Sequence, residues 1–535
     1  MARKKEQVLG QDPKVLWRKY CGFLDLSLPE FMEIQEHLLF DHLRTVVNGA
    51  LGKRMLRGRV PANLEEFRTL VPLTRYGDYL PELENGNDAA LPEPAHYWAH
   101  TTGARAELKF APYTRRGYER VADNLMASFI IASANRKGEV NVEPGDRVLY
   151  NTPPRPFLSG LVTFAMEERF GLQGVLDPQT SEKMDFKERI EKGFLVALKS
   201  RVDFMVSMTS ILVKIGDGFV EQSQKKKRSR LPLHPVALAR LAKAVVKSKI
   251  ERRGILPKDL WPVKAIMGWG VDTPFFREKV ARYWGRIPYQ FYACTEGGLM
   301  AMQSWEKKGM IFTPYADFYE FIPEEESAKN WENPEYKVST LLLNEVEAGK
   351  RYELVITNFY GMPFLRYRPG HLVEITALEE KETGIKIPQM EFVARCDDRI
   401  DLAGFTRLDE KTIWEALAHS ELSFEDWTVR KEFAEEKPLL HVYVEFKGDL
   451  DGVNPTHVLD ESLKAKDPFY NDLHTMLGIN PLKVTCLSRG TFERYYDEKK
   501  KEGKSLTELR PLRMNPAEES ISDLLRLSKV NETAN

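Results

Sequence analysis

The sequence predicts an α/β protein: a large N-terminal α/β domain with parallel-type sheets and a β-rich part, then a small, mobile α+β C-terminal domain. Three observations carry that prediction. Short apolar runs alternate with helical stretches from about residue 60 to 300, and apolar–polar alternation replaces them from about 310 to 400. Beyond residue 400 a second set of strand and helix signals begins, in a chain of 535 residues that is too long for one core. The expected organisation is a helical segment over 1–60 packing on the large domain, the large domain over 61–396, the small domain over 397–515, and a polar, frayed tail over 516–535.

Taken in order, residues 13 to about 60 read as helices, because Leu16, Tyr20, Phe23 and Leu24, then Leu38, Leu39 and Leu43, recur at helical spacing. RVLYNT (147–152), FMVSMTS (204–210), VKAIMGWG (263–270) and IPYQFYACTEG (287–297) read as buried strands ending in turns. Tyr118 to Asn135 and Pro235 to Ile250 read as intervening helices. Such alternation predicts parallel strands whose ligands collect at the carboxyl ends. DFYEFIP, YELVITNF and HLVEIT then alternate as antiparallel strands. In the C-terminal part, WTVRKEF and LLHVYVEF predict a hairpin around Ala434 to Pro438, followed by a helix and the strand LKVTCL.

Composition excludes several classes. Hydrophobic content of 42% and aromatic content of 11% are those of a globular enzyme, not a disordered chain. Lys plus Arg (78) nearly balance Asp plus Glu (79), so no global field draws the chain to nucleic acid or to an anionic membrane, and neither partner is expected. QKKKRSR (224–230) reads as a solvated basic loop. No apolar run approaches the roughly 20 residues a membrane span needs. MARKKEQVLGQDPK is followed by no apolar stretch, so a cytoplasmic location is expected. Cys21, Cys294, Cys396 and Cys486 are scattered, which predicts neither disulfides nor a zinc site. GKS (503–505) is no phosphate loop, because Glu498 stands where that motif needs glycine. His37 and His42 lie five apart, off a shared helical face.

Four distant segments carry chemistry. HTTGARAELK (100–109) is a hydroxyl-rich turn in which Arg105 and Lys109 supply charge for phosphate oxygens; alone it also reads as a plain polar turn. YACTEGG (292–298) follows an apolar strand, so Thr295 offers a hydroxyl to phosphate, Glu296 a carboxylate to Mg²⁺ and Tyr292 a ring to a flat base. A strand end before a glycine turn is the competing reading. In RYELVITNFYGMPFLRYRPGHLVEI (351–375), Arg366 and Arg368 share one face if the segment is a strand, which requires an anion or acidic groups opposite. ARCDDRIDLAGFTRLDEKTIWEAL (394–417) pairs aspartates with a glycine turn, as a domain junction would.

From about residue 60 to 515 these segments resemble the adenylate-forming superfamily, and within it the auxin-type acyl-acid amido synthetases and the phenylacetate–CoA ligases. FRTLVPLTRYGDYLPEL (67–83), LWPVKAIMGWG (260–270) and SRGTFERYYDEKKKEGKSLTELRPLR add to the match. The resemblance implies the adenylate-forming fold and an ATP-dependent ligase. It activates a small carboxylic acid as the acyl-adenylate, releases pyrophosphate, and passes the acyl group to an amine. An alternative is the thiol of coenzyme A as acceptor, and a second alternative is a catalytically weakened nucleotide- and acyl-binding homologue. ATP and Mg²⁺ are implied as cofactors.

Residue by residue, the resemblance implies that Thr101, Thr102 and Gly103 hold the β- and γ-phosphates with Arg105 and Lys109. Gly268 and Gly270 border the adenine pocket, and Tyr292 stacks on the base. Thr295 and Gly297 contact the nucleotide, and Glu296 holds Mg²⁺. Arg366, His371 and Arg395 line the nucleotide, and Asp397 and Asp398 form the hinge. The resemblance also implies a catalytic cation in the closing segment, for which Arg510 and, as a substitute, Lys504 are the candidates; Lys504 also reads as a solvated surface lysine. Three positions depart from the pattern. Glu107 stands where the phosphate loop carries lysine, His371 replaces the ribose-binding aspartate, and Arg510 falls where a lysine is usual.

Overall fold

The structure, a computed structural model, describes every residue except 1–7, 81, 84–85, 101–108, 185, 226–233, 270–272, 334, 397–398, 404, 421, 435–436, 449, 451, 503–512 and 530–535. The described residues form two compact units, one reaching Cys396 and the other lying beyond it.

In the first unit the strands are β1 (Tyr97–His100), β2 (Phe110–Tyr113), β3 (Arg147–Asn151), β4 (Gln173–Gly174), β5 (Phe204–Met208), β6 (Ala265–Trp269) and β7 (Tyr289–Cys294). They continue with β8 (Gly298–Gln303), β9 (Met310–Phe312), β10 (Asp317–Pro323), β11 (Arg351–Asn358), β12 (His371–Ala377) and β13 (Gln389–Arg395). β1 and β2 pair with each other, and the rest form one eleven-stranded sheet in the order β10–β11–β12–β13–β9–β8–β7–β6–β5–β3–β4. From β4 to β7 the ladder is parallel. From β7 to β10 it is antiparallel throughout.

The sequence explains the two halves. FMVSM is apolar enough to be buried at all five positions of β5, as a parallel strand covered on both faces must be. Helix Arg115–Ser133 is capped by the Thr114 hydroxyl and lies against β8, where Asn124 Nδ2 donates to the Leu299 carbonyl at 2.9 Å. Helices Pro13–Cys21 and Leu28–Val46 add Leu16, Tyr20, Leu39 and Leu43 to the same core, and Ser27 and Glu30 close a capping box at the second. Helix Glu324–Glu332 interrupts the region that the sequence reads as strands. Three carboxylates in its first turn complement the helix dipole.

The second unit holds β14 (Ile400–Leu402), β15 (Thr406–Leu408), β16 (Phe424–Ala434), β17 (Lys437–Phe446) and β18 (Leu482–Leu487). The predicted hairpin forms, its ladder running from Phe424↔Phe446 to Ala434↔Lys437, and β18 adds in parallel to β17 after helices Pro455–Lys466 and Pro468–Leu477. The expectation of a frayed polar tail is corrected. Residues Glu518–Lys529 are helical, and Ile521, Leu524 and Leu527 are buried with Tyr443, Leu487, Phe492 and Tyr495. Their three-residue spacing makes the apolar stripe that average polarity concealed. Among the described residues no helix is long and apolar enough to cross a membrane.

Candidate active site

β7 ends at Cys294, and Thr295-Glu296-Gly297 turns the chain into β8. Close packing shapes this turn. A Cβ on Gly297 would lie 2.7 Å from Met300 Sδ and 2.9 Å from Ile356 Cδ1. Gly298, at φ +70°, occupies the left-handed region that side chains avoid. The backbone is tied on both sides: Tyr113 Oη donates to the Thr295 carbonyl at 2.6 Å, and Asn358 Nδ2 donates to the Glu296 carbonyl at 3.0 Å. The Asn358 amide also donates to Asp317 Oδ1 at 2.7 Å. Burial pushes the Asp317 carboxyl well above its ordinary range, against the pull of that hydrogen bond.

Glu296 is buried, and its Oε1 accepts from Tyr367 Oη at 2.8 Å and lies 3.9 Å from Lys109 Nζ. Burial and the neighbouring Glu296 push the Tyr367 hydroxyl well above its usual range, so it remains a donor at neutral pH. Oε2 takes no hydrogen bond from a described residue, which leaves one carboxylate oxygen for a hard cation. No group of three or more metal-ligating side chains occurs among the described residues. A cation shared with substrate phosphates needs only one or two protein carboxylates, so Glu296 fits Mg²⁺.

Thr295 Oγ1 donates to the His100 carbonyl at 3.5 Å, and His100 pairs with Phe110 across β1 and β2. The two ends of the 101–108 segment, His100 and Lys109, are therefore held beside Thr295 and Glu296. Thr101, Thr102, Gly103 and Arg105 lie outside the described residues, as do Gly270, Asp397, Asp398, Lys504 and Arg510.

A second cluster adjoins the first. Tyr292 Oη lies 2.5 Å from His371 Nδ1, and Arg395 Nη1 lies 2.9 Å from His371 Nε2. A guanidinium has only donors, so Nε2 accepts and the imidazole proton sits on Nδ1, donated to the tyrosine oxygen. His371 and Arg395 face each other across β12 and β13, and Arg395 Nη2 also donates to the Pro369 carbonyl at 3.2 Å. The expectation that Tyr292 stacks on a base is corrected. The ring is 6% exposed and stacked on Phe392, with centroids 6.2 Å apart, so its apolar face is already covered.

The structure also contradicts the placement of Arg366 at a nucleotide. Residues 359–370 form an irregular connection rather than a strand, and Arg366 has φ +44°. Its guanidinium donates to both Glu320 oxygens at 3.0 Å, to Thr340 Oγ1 at 3.1 Å, and to the carbonyls of Arg68 and Val71 at 2.6 and 2.8 Å. Those five bonds use all five N–H groups, so none remains for phosphate. Arg368 pairs likewise with Glu353, at 2.9 Å through Nε. The acidic groups that two arginines on one face require are supplied by β10 and β11. Gly268 has a packing reason: a Cβ there would lie 2.8 Å from the Thr209 methyl. Tyr367, Tyr113, Asn358 and Asp317 were not singled out from sequence. Only Tyr367 had a signal, its place between the two arginines.

The strands that hold Glu320, Glu353, His371 and Arg395 lie in residues 310–395, which match the GH3 family central domain. Residues 410–517 match the GH3 family C-terminal domain. It is 23% identical over 501 residues to an Arabidopsis thaliana indole-3-acetic acid-amido synthetase, GH3.10, covering 80% of this chain and 82% of that one. It is 26% identical over 295 residues to the Oryza sativa jasmonoyl–L-amino acid synthetase GH3.5, covering 51% of this chain and 49% of that one. The chain thus spans about half the length of that relative, and 33% of the Arabidopsis amido synthetase GH3.3. Among solved structures, a GH3.15 acyl acid amido synthetase in complex with 2,4-DB superposes over 98% of this chain and 97% of its own at TM-score 0.51 and 17% identity. A 2-hydroxyisobutyryl-CoA ligase in its thioesterification state superposes over 97% and 94% at TM-score 0.59 and 13% identity. At those identities the likeness is one of fold: the chain has the fold of adenylate-forming enzyme structures.

Proposed function

We propose that this chain activates a carboxylic acid with ATP and transfers the acyl group to an amine. In the first step an oxygen of the acid's carboxylate attacks the α-phosphorus, the bond to the bridging oxygen breaks, and pyrophosphate leaves. In the second the amine attacks the acyl carbon and AMP departs. The observation that carries this reading is the buried Glu296 on its clamped turn, one oxygen held by Tyr367 and the other without a donor among the described residues, beside His100 and Lys109, which flank the hydroxyl-rich segment 101–108. Mg²⁺, when bound, screens the repulsion between the acid and the triphosphate. The residues of the chain do the rest. Lys109 adds positive charge next to Glu296, the tied turn fixes where that charge lies, and His371 holds Arg395 at the end of β13. Lys504 and Arg510 enter as candidate cations for the transfer step.

The test is exchange of labelled pyrophosphate into ATP over a panel of carboxylic acids. Glu296→Gln is expected to lower acid-dependent exchange by about 10²–10³-fold while the protein stays folded. Undiminished exchange in that variant removes Glu296 from the mechanism. Transfer to coenzyme A is the second reading, favoured by the higher TM-score to the CoA ligase. Mass spectrometry of products formed with amino acids or with coenzyme A separates the two.

A further inference from the structure

Exposed apolar side chains scattered singly over a surface need no explanation, but in this molecule they concentrate. Five of the thirteen exposed large hydrophobics among the described residues, Val236, Leu238, Val245, Val246 and Ile250, lie on the one helix Pro235–Ile250. Val246 is 57% and Ile250 76% exposed. The helix is seated the opposite way from an ordinary surface helix, which turns its large apolar residues inward. Its buried residues are the small Ala237, Ala244 and Ser248, and Arg240 ties it down by donating to the carbonyls of Ala197 at 2.8 Å and Ser200 at 2.6 Å. Leu238, Ala242, Val245, Val246 and Ile250 are all exposed and recur at intervals of three and four residues, so they form one outward-facing apolar stripe.

Charge marks the same helix. The sequence from Gln222 to Ile250 carries nine Lys or Arg and no Asp or Glu, in a chain whose net charge is −1. The balance over the whole chain, which argues against a general attraction to anionic membranes, conceals this local excess. Lys243, Lys249 and Arg252 are exposed and make no ion pair with a described residue, whereas Lys247 pairs with Asp259 at 3.3 Å. Lys249 falls inside the apolar stripe, four residues after Val245 and eleven after Leu238. The centre of a protein–protein interface is depleted of lysine. At a bilayer surface the same position is favourable, because the aliphatic stem lies among acyl chains while the ammonium reaches the phosphates. An aliphatic stripe with lysines in and beside it is the pattern of a helix lying in the plane of that surface.

We propose that helix Pro235–Ile250 docks the protein on an anionic phospholipid surface, with Leu238, Val245, Val246 and Ile250 against the acyl chains and Lys243, Lys249 and Arg252 on the lipid phosphates. Docking needs neither ATP nor an acid, so it stands apart from the activity proposed above. It is tested by co-sedimenting the full chain, without nucleotide, with vesicles of phosphatidylcholine alone and with vesicles in which one lipid in three is phosphatidylserine. Binding to the anionic vesicles is expected to exceed binding to the neutral ones by about tenfold or more and to weaken as salt rises. Val246→Glu combined with Ile250→Glu is expected to abolish it, and Lys243→Gln and Lys249→Gln each to weaken it about fivefold.

All four positions are exposed, so the substitutions leave the core intact, and an unchanged melting temperature checks that. Should the glutamate pair perturb the helix, Val246→Gln combined with Ile250→Gln takes its place. Absence of binding to the anionic vesicles at low salt overturns the proposal, and so does binding that the substitutions at 246 and 250 leave unchanged. Equal binding to neutral and anionic vesicles overturns it as well, because the lysines then do nothing. A concentration-dependent dimer that Val246→Glu disrupts, in a protein that ignores vesicles, assigns the face to a second copy of the chain and overturns lipid docking.

Discussion

Arg366 and Arg368 on the antiparallel side of the sheet and Arg189 on the parallel side are buried to the same depth, yet their surroundings are opposite. The first two meet Glu320 and Glu353 from neighbouring strands, so the charge is neutralised within the fold. The third meets a carbonyl and a hydroxyl. The difference teaches that burial of a cation does not by itself identify a site; what matters is whether the fold supplies the counter-charge. A neutralised pair belongs to stability, and a cation without a counter-charge rests on neutral acceptors alone.

The largest effect expected from breaking this contrast is on the neutralised side. Glu353→Gln leaves Arg368 buried without its carboxylate and is expected to lower unfolding stability by about 3–5 kcal/mol. Urea denaturation showing less than about 1 kcal/mol would place the pair outside the stabilising framework.

A buried histidine gives an intermediate effect. His42 is 2% exposed, its Nδ1 accepts from the Gly361 N–H at 3.1 Å, and burial lowers its pKa to about 3. The unfolded chain therefore binds more protons than the folded one between about pH 6.5 and 3, and stability falls with pH across that window. The slope is about 1.4 kcal/mol per pH unit, or about 2 kcal/mol by pH 5. His42→Gln is expected to flatten that part of the stability–pH curve. An unchanged slope would assign the acid sensitivity to other groups.

The smallest effect is expected at the unneutralised cation. Arg189→Met removes no ion pair and is expected to change stability by about 1 kcal/mol or less. A loss approaching that of Glu353→Gln would erase the contrast between the two sides.

Much of the fold was legible because its signals are local. FMVSM and VKAIMGWG announce buried strands, and the break between WTVRKEF and LLHVYVEF announces a hairpin. What was missed has particular reasons. Helix Glu324–Glu332 begins with three charges, and helix Glu518–Lys529 hides its stripe under a polar average. In the candidate site, Glu296 drew attention because an acid at the end of an apolar strand and before two glycines is unusual. Arg366 was misplaced because two-residue spacing fixes a shared face only on a strand, and the chain there is irregular. Asn358 and Asp317 matter through contacts between segments 41 and 62 positions apart, which no local pattern records. Arg189 sits in an ordinary amphipathic helix, and its missing partner becomes visible only when its neighbours are assembled.

Asn358 has one more implication. Its amide nitrogen spans the Glu296 carbonyl and Asp317, while its oxygen accepts from the Phe364 N–H at 3.1 Å. Swapping that nitrogen for oxygen, as deamidation does, would turn both donors into acceptors and set two carboxyl groups face to face. Chemical ageing at this single position would loosen the turn from beneath, without altering any residue that touches a substrate.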